Sequence, residues 1–307
     1  MITSIFSKSR PINFIIVFFI VLIAFITARI ELIKGTITMV FVFKQLVLFG
    51  VCYASILLLN FIVSKNNLSN KNNYEILLFS LFLLAITSST SHVNVIFSNF
   101  FVMLGLRRII SLRSQINVKK KLFDAAFWIA IAALFYFWAI LFFVIILISL
   151  LLYSETKINH WIIPFTGVIT VFLITIGASI ILNDNFFELF KSFPEVSYDL
   201  SSYNSTQYLV AITLLLSFGI WSSLFYIKSI KQKKKAFRAS FNTILFAGVI
   251  ALVIIILAPK KDGSEFLFAF APLSIIITNY IEIIEEKWFK EVFLSVLILV
   301  PFILLFL

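Results

Sequence analysis

Long apolar stretches, separated by short polar segments, run through the whole chain. Many of these stretches approach or exceed the roughly 20 residues that an α-helix needs to cross the hydrocarbon core of a bilayer. The pattern predicts about eleven transmembrane helices, two of which form a tight hairpin within residues 123–153. The predicted spans are 11–28, 39–63, 76–88, 95–112, the two halves of 123–153, 161–182, 207–227, 241–258, 266–281 and 291–307.

These stretches leave only short connecting segments, so residues 1–307 are predicted to form one all-α, polytopic membrane domain with no soluble domain. The distribution of Lys and Arg predicts the orientation. With the N-terminus inside, 19 of the 25 Lys and Arg residues face the cytoplasm and 6 lie outside. Because cytoplasmic loops are enriched in basic residues, we expect the N-terminus inside and the C-terminus outside.

The composition supports this assignment and excludes several other classes of protein. Hydrophobic residues make up 62% of the chain and charged residues 13%, about half the charged fraction of a soluble domain. The single cysteine, Cys52, excludes an intramolecular disulfide and a cysteine-based metal cluster. The two histidines, His92 and His160, are predicted on opposite faces of the membrane, so no metal site and no cofactor are expected.

Two basic runs on the predicted cytoplasmic side account for much of the net charge of +11. We expect them to attract the anionic lipids of the inner leaflet, at about 1 kcal/mol per charge. Docking of a partner or a phosphate is the alternative, and nucleic-acid binding is not indicated. The residues concerned are Lys119, Lys120, Lys121, Lys228, Lys231, Lys233, Lys234, Lys235 and Arg238.

Charged residues on the predicted outer side form the candidate substrate-binding site. Charges at membrane depth are costly and tend to face a cavity or a partner. We therefore expect them to converge on a pocket for a phosphate or diphosphate head group, with snorkelling lysines and separate ion pairs as the alternative. The set comprises Arg29, Lys34, Lys44, Lys260, Lys261, Asp262 and Glu265.

Two residues of the outer loops are candidate catalytic bases. Glu31 lies in the first outer loop, and His92 lies among serines and threonines in the second. A carboxylate or an imidazole can accept a proton from an attacking hydroxyl near neutral pH. A merely solvated loop histidine is the alternative for His92.

Three segments resemble an uncharacterised family of multi-pass bacterial inner-membrane proteins. They are residues 1–11, Gly-Leu-Arg-Arg-Ile-Ile-Ser-Leu-Arg at 105–113, and Lys-Leu-Phe-Asp-Ala at 121–125. The resemblance covers the whole chain and implies a location in the bacterial cytoplasmic membrane. Proteins of that family are often called beta-carotene monooxygenases. Carotenoid-cleaving enzymes hold iron with four histidines on a β-propeller, whereas this chain has two histidines and a helical pattern.

A second resemblance is to membrane glycosyltransferases of the GT-C type and to polysaccharide polymerases. The hairpin 123–153 and the segment 263–272 are similar to their central hairpin and to their late proline-bearing helix. In those enzymes an acidic residue of the first outer loop is the base, and Glu31 has that position here. Their first outer loop is long, whereas this chain has only about residues 29–38 in that place.

Together these features predict a protein that handles a lipid-linked phosphate or sugar at the outer face. As an enzyme it would be a GT-C-like glycosyl transferase or polymerase. A transporter or flippase without chemistry is one alternative. A non-catalytic scaffold subunit of an envelope complex is the other.

Overall fold

The computed structural model describes residues 2–30, 38–153, 158–184, 186 and 196–307. Within these residues the chain forms α-helices, short 3-10 helices and no β-strand, so the predicted all-α class is confirmed. The α-helices are α1 (Ile2–Phe6), α2 (Pro11–Thr27), α3 (Met39–Asn66), α4 (Tyr74–Ala85), α5 (Val93–Ile110), α6 (Val118–Phe135), α7 (Phe143–Leu152), α8 (Ile163–Asn183), α9 (Thr206–Gln232), α10 (Lys235–Leu257), α11 (Leu267–Ile283) and α12 (Lys287–Leu304).

Local sequence signals explain where several helices begin. Pro11 occupies the first turn of α2, where its missing N–H costs nothing. Thr38 caps α3 by accepting a hydrogen bond from the N–H of Phe41 at 3.2 Å. Ser205 caps α9 in the same way, with the N–H of Tyr208 at 3.3 Å.

Six of the described helices are long and apolar enough to cross a membrane. They are Met39–Asn66, Val93–Ser114, Ile163–Leu182, Thr206–Gln232, Lys235–Leu257 and Ser264–Ile283. Pro11–Thr27, Tyr74–Ala85 and Phe137–Leu152 are shorter apolar helices. Each of the eleven predicted spans corresponds to one of the helices α2 to α12, and the predicted hairpin bends between Phe135 and Phe137.

The helices from α2 to α12 run back and forth between two ends of a bundle. One end, here called the His92 end, carries Arg29 hydrogen-bonded to Thr90 and His92 paired with Asp262. The opposite end, here called the Lys233 end, joins the α3–α4 loop to α11, the Arg113 segment to the start of α10, and Tyr153 to Ser240.

A buried pair of helices, α4 and α11, forms the centre of the bundle. All residues of α4 are buried, and α2, α3, α11 and α12 pack around it. The aromatic rings of Phe79 and Phe82 both contact Phe270 of α11, with ring centroids 6.0 and 5.8 Å apart. At about 1.5 Å per residue, the 12 residues of α4 span only about 18 Å, and its neighbours extend beyond it.

Helix α6 packs through a face of small residues. A Cβ atom on Gly167 of α8 would lie 2.9 Å from the carbonyl oxygen of Phe123 and 3.0 Å from the Cβ of Ala126. A Cβ on Gly105 of α5 would lie 3.3 Å from the carbonyl oxygen of Ala125. The backbones therefore approach closely because glycine and alanine stand where the helices cross, as is common in membranes.

This close approach predicts opposite effects for two glycines of the same helix. Gly167→Ala should lower the free energy of unfolding by about 1–3 kcal/mol, because its new methyl group meets the rigid backbone of α6. Gly177→Ala is the matched control, since a Cβ there meets no atom within 4 Å; it should be neutral or stabilising by up to about 1 kcal/mol. Thermal unfolding of both variants in the same detergent measures the difference. Equal melting temperatures would contradict the close packing of α6 against α8.

Candidate functional site

The predicted outer-face residues divide into three groups in the structure. Glu31 and Lys34 lie outside the described residues. Lys44 and Lys260 are exposed. The remaining predicted site residues lie at the His92 end, and they are Arg29, His92, Lys261, Asp262 and Glu265.

The loop between α10 and α11 brings two carboxylates together through a tight turn. Gly263 has φ of 89°, in the left-handed region that favours glycine. Its N–H donates to Oε1 of Glu265 at 3.3 Å, and the N–H of Ser264 donates to Oδ1 of Asp262 at 3.0 Å. A side chain at Gly263 would also collide with the Oγ of Ser88. This turn therefore fixes both carboxylates against the segment that follows α4.

His92 and Asp262 contact each other at the surface of this end. Nε2 of His92 lies 2.8 Å from Oδ2 of Asp262, and the two side chains are 48% and 35% exposed. The carboxylate orients the imidazole ring while leaving it accessible from outside the bundle. A histidine held in this way can exchange a proton with a bound hydroxyl group.

Glu265 is the buried acidic group of the site, with 1% of its surface exposed. Its Oε1 accepts hydrogen bonds from the hydroxyl of Tyr203 and from the N–H of Gly263. Its Oε2 has no hydrogen-bond partner among the described residues. A buried carboxylate oxygen without a partner is costly and rare in native proteins, and it marks a position where a ligand or water can bind.

Three tyrosines surround these acids, and sequence reasoning missed all of them. The hydroxyl of Tyr208 donates to the carbonyl oxygen of Asp262 at 2.7 Å and lies 2.8 Å from the Oγ of Ser88. Burial raises the pKa of Tyr136, and the charges of Glu265 and Asp262 raise it further. Tyr136 therefore stays protonated beside the two acids. We call Ser88, His92, Tyr136, Tyr203, Tyr208, Asp262 and Glu265 the Glu265 cluster.

Two predicted phosphate-binding cations are bonded to backbone instead. Arg29, 3% exposed, donates to Oγ1 of Thr90 at 3.1 Å and to the carbonyl of Phe25 at 3.3 Å. Burial lowers its pKa to about 10. Lys261, 5% exposed, donates to the carbonyls of Ile255 and Ile256 at 2.5 and 2.6 Å, and burial lowers its pKa as well. Both cations thus satisfy carbonyl groups at helix ends.

Lys44 is exposed near the start of α3. Helix α3 packs on α2, α4 and α5, and no described contact joins Lys44 to the Glu265 cluster. The convergence of all the predicted cations on one pocket is therefore not observed among the described residues. The position of Lys44 favours the alternative of a snorkelling lysine.

An apolar groove of about 270 Å³ lies between α9, α10 and α11. Gly219 and Gly248 line it on α9 and α10, together with leucine and isoleucine side chains. Phe266 lines the groove and directly follows Glu265 in the chain, whereas no residue of the Glu265 cluster lines it. Several lining residues are exposed on the side of the bundle: Leu216, Ile220, Leu224, Val249 and Leu252.

The predicted lipid-binding cations lie at the Lys233 end, at the start of α6 and around the α9–α10 turn. Most of them are exposed, whereas Lys121 and Lys233 are half-buried. Lys121 donates to the carbonyl of Ser111 and to the Oγ of Ser114, both at 2.6 Å. Binding of anionic lipid by this surface stays a prediction.

The hydrogen bond between Tyr203 and Glu265 is testable by a single-atom change. Tyr203→Phe keeps the ring, which contacts Phe266 with centroids 5.7 Å apart, but removes the donor to a buried carboxylate. We expect the free energy of unfolding to fall by about 1.5–3 kcal/mol, as for other hydrogen bonds to charged groups. Tyr198→Phe is the control, because Tyr198 is 72% exposed in the same segment. Indistinguishable melting curves for the two variants would mean that Tyr203 does not hold Glu265.

The sequence of the chain also matches a protein family. No curated protein and no solved structure matches the chain. The family described as "Family of unknown function (DUF6427)" matches residues 1–307. The predicted membership of an uncharacterised family is thereby confirmed, while the bacterial inner membrane and the resemblance to GT-C enzymes stay predictions. The chain belongs to the DUF6427 family over its whole length.

Proposed function

We propose that this protein binds a lipid-linked sugar, with the hydrocarbon chain in the groove between α9, α10 and α11 and the head group at the Glu265 cluster. The observation that carries the proposal is that consecutive residues of the chain belong to the two sites. Phe266 lines the groove and Glu265, the preceding residue, belongs to the cluster. An amphiphile bound there keeps its chain beside membrane-crossing helices while its polar head meets buried polar groups.

The dimensions along α9 agree with such a ligand. Leu215, the first lining residue of α9, lies seven residues beyond Tyr208 of the cluster, which is about 10 Å along the helix. The lining continues to Ile227, about 18 Å farther. The groove therefore follows α9 for more than half of the roughly 30 Å hydrocarbon thickness of a bilayer.

The chemistry of the cluster favours a head group rich in hydroxyls. Carboxylates, tyrosine hydroxyls and an imidazole can all exchange hydrogen bonds with sugar hydroxyls. A diphosphate would need several cations, but Arg29 and Lys261 are bonded to backbone carbonyls. The exposed Lys260 is the cation of this loop that remains for a phosphate linking the sugar to its lipid.

A GT-C-like glycosyl transferase or polymerase is the enzymatic form of this proposal. His92, oriented by Asp262 at 2.8 Å, then accepts the proton of the acceptor hydroxyl as that oxygen attacks the sugar. The bond between the sugar and its lipid phosphate breaks, and the phosphate departs with the bonding electron pair. Glu31 remains the alternative base.

We further propose that all eleven helices from α2 to α12 cross the bacterial cytoplasmic membrane, with the His92 end outside. Their ends alternate between the two sides of the bundle, which supports this topology. The basic runs around Lys120 and Lys234 lie at the Lys233 end, where they would face the anionic inner leaflet.

Filling the groove should displace the lipid. Gly248→Leu places a side chain into the groove, since a Cβ at Gly248 has only ordinary contacts with Pro272 at 3.8 Å and Ile276 at 3.9 Å. We expect labelling by a photoactivatable polyprenyl phosphate sugar in nanodiscs to fall about tenfold, equivalent to about 1.4 kcal/mol. Gly177→Leu on α8 is the control with open space around it. Equal labelling of both variants, or labelling that maps outside α9 to α11, would refute the groove as the lipid site.

Cysteine accessibility tests the orientation. Ser202 and Gln232 are exposed near opposite ends of α9, whose 27 residues extend about 40 Å. A membrane-impermeant maleimide added to intact cells should label Ser202→Cys but not Gln232→Cys. The native Cys52 is 3% exposed and gives little background. The reverse labelling pattern would invert the proposed orientation.

A further inference from the structure

The side chain of Tyr203 contacts both the groove and the Glu265 cluster. Its ring packs on that of Phe266, a lining residue of the groove, with the ring centroids 5.7 Å apart. Its hydroxyl group donates a hydrogen bond to Oε1 of Glu265. Tyr203 is 6% exposed, so this one buried side chain lies against a wall of the groove and against the acid of the cluster.

A ligand that occupies both sites needs a passage that this arrangement closes. Glu265 is 1% exposed, and its Oε2 has no hydrogen-bond partner among the described residues. The groove itself has Phe266 in its lining but no residue of the cluster. A lipid in the groove therefore cannot place its head group against Glu265 while Tyr203 keeps its position between the two.

Residues 196–204, which lead into α9, are anchored on the bundle through Tyr203. Within this segment Tyr203 is buried and Ser197 is half-buried, whereas the other residues are exposed. The hydrogen bond and the ring contacts described between this segment and other elements are those of Tyr203. A segment with so few buried contacts opens locally at a low cost in free energy. Tyr203 can thus leave its position while the helices of the bundle stay packed.

We infer that Tyr203 is a gate between the groove and the Glu265 cluster. The inference rests on the proposed lipid site, whose two parts it connects. When a lipid-linked sugar enters, the tyrosine ring leaves Phe266 and its hydroxyl leaves Glu265. A hydroxyl group of the sugar then replaces the tyrosine hydroxyl as the donor to Oε1, and a second one can donate to Oε2. The buried carboxyl group keeps a hydrogen bond in both states, so opening does not leave it unsatisfied.

A permanent structural anchor is the alternative role for Tyr203. In that case a water molecule satisfies Oε2 of Glu265, and the tyrosine holds residues 196–204 in place at all times. The two roles differ in what the removal of the ring does. Removal of a gate connects Glu265 to the groove, whereas removal of an anchor exposes Glu265 to the water outside the bundle.

The test measures how fast dicyclohexylcarbodiimide, an apolar reagent for buried carboxyl groups, modifies Glu265 in the full-length protein in nanodiscs. Tyr203→Ala should raise the rate about tenfold, because the reaction of a buried group follows the population of its open form. Tyr203→Phe keeps the ring and should stay near the unaltered rate. Gly248→Leu, added to Tyr203→Ala, should lower the rate again by filling the groove. Mass spectrometry of the modified peptides gives the rates.

Two controls identify a general loosening of the fold. Glu75, also 1% exposed but at the opposite end of the bundle, should react at the same rate in every variant. Tyr198→Ala alters a side chain of the same segment that is 72% exposed and should have no effect. If Tyr203→Ala does not fold, Tyr203→Leu replaces it, since leucine keeps an apolar contact but is shorter than the tyrosine ring.

Three outcomes would overturn the gate. They are an unchanged rate at Glu265 in Tyr203→Ala, an equal increase in Tyr203→Phe, and an increase that Gly248→Leu does not reverse while a water-soluble carbodiimide reacts equally well. These reactions need no lipid. The gate can therefore fail while Gly248→Leu still lowers lipid labelling, and the lipid site can fail while Tyr203→Ala still connects Glu265 to the groove.

Discussion

The burial of α4 inside a shell of other helices determines much of the architecture. Because every residue of this helix is buried, neither of its ends reaches lipid or bulk water directly. Its first N–H groups and last carbonyl groups must therefore find partners within the bundle. The N–H of Tyr74 donates to Oδ1 of Asn72 at 3.2 Å, and the carbonyl oxygen of Phe82 accepts from the N–H of Ile86 at 3.0 Å. Within the described part of the chain, buried polar residues lie near both ends of this helix, among them Asn73 and Glu75 at one end and Ser89 and Thr90 at the other.

Hydropathy could predict the helices because a membrane segment is a local property of the chain. Each of α2 to α12 falls on a predicted apolar stretch, and the hairpin bends at Tyr136, where aromatic residues interrupt the helix. The same reasoning placed Glu75 in a polar loop, since the Asn-rich segment before it is hydrophilic. In the structure Glu75 is in α4 and buried, because neighbouring helices extend past the start of this short helix.

The candidate site was predictable only in part, because it depends on which loops meet. His92, Asp262 and Glu265 could be named from their charge and position. Tyr203 could not, since it lies 62 residues from Glu265 in sequence and gives no local signal. The hydrogen-bond partners of Arg29 and Lys261 could not be predicted from the sequence either. Whether Arg29 faces a ligand or a carbonyl group depends on the distance to Thr90, and hydropathy carries no information about that distance.

Two of the three segments that carry the family resemblance, 105–113 and 121–125, pack against each other. Gly105 of α5 packs against the backbone of Ala125 in α6. The guanidinium group of Arg108 lies 3.0 Å from the carboxylate of Asp124, and the ammonium group of Lys121 donates a hydrogen bond to the carbonyl oxygen of Ser111, the residue after α5. A shared pattern at 105–113 and 121–125 is thus explained by the packing of two helices and needs no catalytic role. Chemistry specific to this protein is better sought where polar groups are buried at a cost to stability. Those positions are the two ends of the α4–α11 pair, where a ligand would compensate the cost.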